Sequence, residues 1–407
     1  MKRKKHMKSV IMFLSVYMIL VMSFIYSQKV ETKNGIRIVH NPKQGIWGIT
    51  PAVSLEFIRT IGDIESQNEP FLFHMPSDIV LDSSNNIYVV DSGNHRIQKF
   101  GPDLTFIKTI GQRGEGPGEF IYPQSIDVDG AGNIYVTDIG SRRIQILDTE
   151  GNEMDTITIP EFSIGGIRSF GPEKLLMTEG EGFGMPLQNL DGKQEVSKMF
   201  KTIDKNGDIL NEFGDKVNLD DLILNRSANR FFFDIDGSNH VYAAFNAQNR
   251  IDKYSPEGQL VWKADRALDY STELPKEKTK IERDGGRIAI REPQLNRCAT
   301  GIAVDGQGRI WVATLSRQLK DEESVQTRVG MMMSAGGQRS MSLDVEGNTD
   351  NRETDAYQLE VYDQEGILLG KIPIDHFVDN IRIFGDRMFL LDKNRGMQFY
   401  EYRIKDN

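Results

Sequence analysis

Three features of the amino-acid sequence predict an all-β chain folded as a six-bladed β-propeller. They are a repeat of about 45 residues, four short apolar runs in each copy, and leftover strands at the two ends that complete one another. The first copy begins at Pro76 and reads PSDIVLDSSNNIYVVDSGNHRIQKFGPDLTFIKTIGQRGEGPGEF. Its runs at 79–81, 87–90, 97–100 and 106–110 are separated by turns of Asp, Asn, Gly, Ser and Pro. Short alternating runs with such turns read as an antiparallel four-stranded meander. A second copy, PQSIDVDGAGNIYVTDIGSRRIQILDTEGNEMDTI, follows at once.

In chain order, residues 1–27 come first as a signal peptide or N-terminal anchor. The basic stretch MKRKKHMK precedes 17 apolar residues at 10–26, and positive residues ahead of an apolar run keep the N-terminus cytoplasmic. The body is therefore expected to be exported, whether periplasmic, extracellular or held on the outer side of the cytoplasmic membrane. Residues 28–52 read as a spacer, and 53–407 as the propeller. The run 53–61 (VSLEFIRTI) matches the fourth strand of a blade but lacks the three before it. Runs at 380–384, 388–391 and 397–403 lack the fourth. Joining them closes the ring and removes an exposed sheet edge.

Between these ends lie the two clear copies and three more sets. A degenerate set occupies 164–170, 174–178, 198–204 and 209–213. The next occupies 230–236, 240–245, 250–254 and 260–263. The last occupies 300–305, 309–314, 358–362 and 367–372. The matching residues Pro76, Ile79-Val80-Leu81-Asp82 and Asn86 through Phe100 resemble the NHL-repeat family of six-bladed propellers of the bacterial exported type. Pro123 through Leu147 resembles it almost as closely. The resemblance implies the fold over most of the chain, and that such proteins often bind partners on one face. It leaves the activity open, since one fold hosts many functions.

Strands that alternate in direction place the first-to-second and third-to-fourth turns on one face of the disc. On that face every turn is short. The other face collects the long connections, including the insertions 264–299 and 315–357, and is read as the binding surface. The charged stretch STELPKEKTKIERDGGR suggests a short helix over the rim, and the insertion holding Met331, Met332 and Met333 reads as a flexible solvated excursion.

Charge excludes one partner class. The net charge is −10, and Lys2, Arg3, Lys4, Lys5 and Lys8 supply five positive charges, so the rest stands near −15. Such a body does not neutralise phosphates, and no nucleic acid is expected. A protein, peptide or carbohydrate partner is expected instead, with the membrane engaged only through an uncleaved N-terminal segment. The single cysteine, Cys298, forms no internal disulfide and reads as a packed, inert thiol.

The candidate ligand-binding residues are Arg96, Arg143, Arg250, Arg113 and Arg395. Three of them open a third strand, and guanidinium groups near a channel mouth can hold an anionic or sugar-like ligand by forked hydrogen bonds. Asp91 and Asp138, five residues ahead of Arg96 and Arg143, favour a simpler Asp–Arg pair that ties the turn. His40, His74, His95, His240 and His376 show no zinc spacing, so no metal or other cofactor is assigned, although a propeller axis can gather distant histidines. GQRGEGPGEF lacks a Rossmann-type context and reads as tight turns. No catalytic residue is assigned. The expected function is an exported binding module. The alternatives are a metal-dependent propeller enzyme of lyase or lactonase type, with its site at the channel, and an envelope sensor or scaffold domain.

Overall fold

The computed structural model describes residues 28–159, 164–180, 196–284, 287–333 and 339–407, so the leader lies outside the described residues. Six four-stranded antiparallel units stand in a ring. Blade I comprises Pro76–Leu81, Ile87–Asp91, Arg96–Phe100 and Phe106–Ile110. Blade II comprises Pro123–Val128, Ile134–Asp138, Arg143–Leu147 and Glu153–Thr158. Blade III comprises Ile164–Ser169, Lys174–Glu179, Phe200–Asp204 and Ile209–Phe213. Blade IV comprises Phe231–Ile235, Val241–Phe245, Ile251–Tyr254 and Leu260–Arg266. Blade V comprises Ala299–Val304, Ile310–Leu315, Glu353–Tyr362 and Leu368–His376. Blade VI comprises Asn380–Phe384, Arg387–Asp392, Gln398–Asp406 and, from the other end of the chain, Val53–Ile61. The pairing of Val53 with Asp406 through Ile61 with Phe399 closes the ring as expected.

The recurring D-x-x-x-N-x-Y pattern has a direct cause. The Oδ1 atom of Asp82 accepts the backbone N–H groups of Ser84 and Asn86, both at 2.9 Å, while Oδ2 takes Asn86 Nδ2 and the Tyr88 hydroxyl. Asp129 repeats all four bonds with Ala131, Asn133 and Tyr135. Asp236 and Asp305 do the same with Tyr242 and with the Trp311 indole in the hydroxyl's place. One carboxylate thus satisfies the turn's donors and pins the aromatic residue of the second strand. The residue three after each Asp is left-handed (Asn85, Gly132, Asn239 and Gly308, φ from 61° to 90°), and Asn or Gly tolerates that conformation.

The core is divided among the blade interfaces, with one apolar cluster in each of the six seams. Val80 and Tyr88 of blade I, for example, meet Ile126 and Val136 of blade II. Ile79 and Val89 pack against Phe389 and Leu391 of blade VI. Each sheet is covered on both faces, so the middle of its second strand is buried, and in Ile87–Asp91 the whole strand is. That explains the continuous apolar runs at these positions.

Three stretches differ from the sequence reading. Residues read as a spacer carry a hairpin, Lys29–Lys33 with Ile36–Asn41, whose second strand pairs in parallel with Leu260–Arg266. Its Val39 is fully buried with Trp262 and Ala264, and the parallel ladder, the buried Asn41 and the His40–Asp265 contact hold the rest of the strand. The chain then lies against blade V, where an added Cβ at Gly45 would sit 2.4 Å from the Leu369 carbonyl oxygen. Only glycine permits that approach. The charged insertion expected as a helix forms a second hairpin, Lys280–Asp284 with Arg287–Arg291. The ladder runs from Lys280 with Arg291 to Asp284 with Arg287, and the intervening Asp-Gly-Gly-Arg sequence favours a hairpin over a helix. The short helix of the loop face lies elsewhere, at Leu222–Ala228, with Asp221 capping the Leu224 N–H at 2.9 Å. The Met-bearing insertion, expected as a flexible excursion, contains a third hairpin, Val325–Met333 with Arg339–Gly347. No helix among the described residues is long and apolar enough to cross a membrane.

Candidate functional site

Two charged groupings stand out, one on the axis and one at the mouth of the loop-rich face. The first strands of the blades line the axis, and five carry a charged residue in a sequence otherwise built for burial: Asp78, Asp127, Arg168, Asp234 and Arg382. Arg168 of blade III reaches Asp234 of blade IV at 3.3 Å and Asp78 of blade I at 3.8 Å. Arg382 of blade VI reaches Asp127 of blade II at 3.4 Å and Asp78 at 3.6 Å. Backbone and hydroxyl donors supply the rest. Ser125 Oγ donates to Asp78 at 2.8 Å, the Ser169 N–H to Asp127 at 2.7 Å and the Val304 N–H to Asp234 at 3.0 Å. All six blades therefore touch one ion network. Burial pushes Asp127 and Asp234 up to about 6, against the pull of Arg168. Burial raises Asp78 as well. The penultimate placement of Asp127, Arg168 and Asp234 in their strands puts the network toward the short-turn end of the channel.

The five arginines singled out from sequence lie on the blades and links expected. Asp91 accepts the His74 N–H of the incoming link at 2.7 Å and Arg96 Nε at 2.8 Å, while Arg96 also bonds Glu69 and the Leu72 carbonyl. Asp138 accepts the Ile121 N–H at 2.8 Å and Arg143 Nε at 3.3 Å. Arg143 further holds the carbonyls of Glu115, Gly116 and Glu119. The Asp–Arg pair of the repeat is thus a rivet between a turn and the preceding link. Arg250 pairs with Asp252 and lies over the Phe245 ring at 4.3 Å. Arg113 is exposed and forms an isolated bridge with Phe120.

Arg395 differs. Its guanidinium lies over the Phe377 ring at 3.4 Å from the centroid and donates one bond to the Glu323 carbonyl oxygen, and its buried Nε has no partner. Around it stand Asp379, Asp392, Tyr357 and Arg297, all within electrostatic reach.

The histidines are dispersed. His95 Nδ1 accepts the Tyr122 N–H, His240 joins the Asp236 turn, His40 pairs with Asp265, and His376 stacks on Tyr400 with Nε2 at 2.9 Å from the Tyr402 hydroxyl. Among the described residues no three His, Cys, Asp or Glu side chains gather as metal ligands. Cys298 is buried, and burial pushes its thiol up to about 11. Sequence reasoning missed the axial five, although a lone charge in an apolar first strand was a usable signal. It also missed Arg297, Tyr357 and Asp379, which no motif marks.

Fold and sites together define a six-bladed β-propeller with a charge-filled axis. The chain belongs to the DUF5128 family, described as a 6-bladed beta-propeller, whose model matches residues 27–278. No curated protein matches the sequence. Solved structures match at low identity. A member of the DUF4221 family from Bacteroides vulgatus has a TM-score of 0.54 at 10% identity, over 87% of this chain and 99% of that one. A protein from Bacteroides fragilis has a TM-score of 0.51 at 11% identity, over 91% and 99%. Virginiamycin B lyase from Staphylococcus aureus has a TM-score of 0.44 at 10% identity, over 86% and 99%. Such identities show the shared fold alone.

Proposed function

We propose that this propeller is an exported binding module of NHL type that takes its ligand or partner on the loop-rich face. One observation carries the reading. The connections at 62–75, 111–122, 214–230, 267–298 and 316–352 all leave from that end of the strands, and two of them carry hairpins. The opposite face is closed by short Asp-centred turns. Binding residues concentrate on variable loops held by a rigid scaffold. Export is supported by the basic leader and apolar run of residues 1–27. The metal-dependent alternative finds no donor set among the described residues, and the axial carboxylates are already engaged by Arg168 and Arg382.

The test screens the purified protein against arrays of glycans and peptides, then compares substitutions on the two faces. Binding should fall with substitutions across the loop-rich face, the exposed Arg113→Gln among them, and be unaffected by Lys205→Gln on the other. Equal losses from both, or binding that follows only the short-turn face, would remove the proposal. Export is tested separately by fractionating cells that express the full chain, and a wholly cytoplasmic product would refute that part.

A further inference from the structure

Blade VI breaks the rule set by blades I and II. There, the Asp that ends the second strand holds both the incoming link and an arginine. In blade VI that residue is Asp392, and its oxygens accept the backbone N–H groups of Arg395 at 3.1 Å and Gly396 at 2.8 Å. Arg395 is left to turn away from it. The residue is 4% exposed, yet its Nε–H meets no acceptor. Leaving a buried donor unpaired costs about 1–3 kcal/mol, more for a charged group, so such a donor calls for an explanation.

The surroundings do not supply the missing acceptor. Arg297, from the link between blades IV and V, lies within electrostatic reach of both Arg395 and the Tyr357 hydroxyl. Arg352 lies 3.9 Å from Asp392. Against these three cations stand two carboxylates, Asp392 and Asp379, and Asp379 is already bonded to the Lys393 N–H at 3.0 Å. The neighbouring Arg317 is held by Glu323 through two bonds of 2.7 Å and by Asp355, so this trio carries one net negative charge, spends its carboxylates on Arg317 and offers Arg395 only the Glu323 backbone carbonyl. Burial draws Arg395 below its ordinary value against the pull of Asp379, Asp392 and Tyr357, with Arg297 adding to the lowering.

We propose that the mouth between blades V and VI is a binding site for a ligand bearing a single carboxylate, held by the guanidinium groups of Arg395 and Arg297 beside the Tyr357 hydroxyl. The planar fork of a guanidinium matches a carboxylate, which would supply the acceptor that the Arg395 Nε–H lacks. A dianion would meet the carboxylates of Asp379 and Asp392 in the wall of the site. The inference rests on the loop-rich face being the binding surface and adds the place and the chemical class.

Calorimetric titration of the whole purified protein with acetate, D-glucuronate and N-acetylalanine tests it, with D-glucose and inorganic phosphate alongside. At least one carboxylate should bind with Kd below about 10 mM, which is roughly 2.7 kcal/mol, while glucose and phosphate do not. The glucuronate and N-acetylalanine arms separate a sugar-acid source from a peptide terminus. Arg297→Gln and Arg395→Gln should each weaken the bound carboxylate about tenfold or more, with Arg395→Lys intermediate. Should Arg395→Gln fail to fold, Arg297→Gln, on a half-buried link residue, decides alone. If no carboxylate binds, the chemical class is wrong. If one binds but ignores both arginines, the site is wrong while the binding-face reading stands.

Discussion

Single carboxylates set the geometry of this chain. Asp129 shows how: four bonds of 2.8–2.9 Å converge on it, two from turn N–H groups, one from Asn133 and one from Tyr135. Hydrogen bonding to the charged form holds Asp129 below its ordinary value, against burial, which raises it. Asp129→Ala would leave the Tyr135 hydroxyl and two backbone donors without an acceptor in a half-buried turn. A loss of about 1–3 kcal/mol is expected by urea denaturation, with little change in the slope. Stability equal to wild type would mean that water replaces the carboxylate at no cost. These aspartates were legible from sequence because all their partners lie within six residues. Asp91–Arg96 was legible for the same reason. Arg395 was legible as a candidate, but its departure from the rivet depends on Phe377 and Glu323 and could not be read locally.

At the scale of the element, the alternation of apolar and polar residues located nearly every blade strand. It failed where a strand is docked mainly by backbone pairing and polar contacts with few buried apolar side chains. The hairpin of Lys29–Lys33 and Ile36–Asn41 buries Val39, and Asn41 bonds Gly366 and Leu368 across to blade V. Its pairing partner, Leu260–Arg266, lies more than 200 residues away, so no local pattern announces it. The charged hairpin at Lys280–Asp284 failed differently, since its Glu and Lys content suits a helix until the Gly-Gly sequence that follows is weighed. The N-terminal hairpin covers what would be the exposed edge of blade IV, the usual site of edge-to-edge association. Val39→Asp should therefore detach it, costing about 2–4 kcal/mol for a carboxylate placed in an apolar seam, and should raise the fraction of dimers and larger species in light scattering. A monodisperse variant of unchanged stability would show that the edge needs no cover.

The whole ring is tied at its axis by charges from five blades and a backbone donor from the sixth, with the partners Asp78 and Arg382 standing near opposite ends of the chain. That separation hid the network from sequence reading. It also gives the molecule a pH dependence with a definite sign. Asp127 and Asp234 stand at about 6 in the folded protein, raised by burial, and they face Asp78, Arg168 and Arg382. A carboxyl raised on folding stabilises the protein fully below its ordinary value near 3.8, and that contribution is lost as pH rises through about 6. Asp392, also at about 6 through burial and Asp379, acts in the same sense. Glu323 opposes them. Its bonds to Arg317 hold it down to about 2, so its contribution is present at neutral pH and disappears as pH falls below about 4. The melting temperature should therefore rise by a few degrees from pH 7.5 to about 5, then fall steeply below about 4. Asp234→Asn keeps the shape, and its amide oxygen can still accept the Val304 N–H, but it does not titrate. It should lessen the rise between pH 7.5 and 5, to which Asp127 and Asp392 still contribute, and leave the acid limb unchanged, as read by scanning calorimetry across that range. A variant whose profile parallels the wild type would place the titration elsewhere and leave the axial network as a fixed, fully ionised tie among the blades.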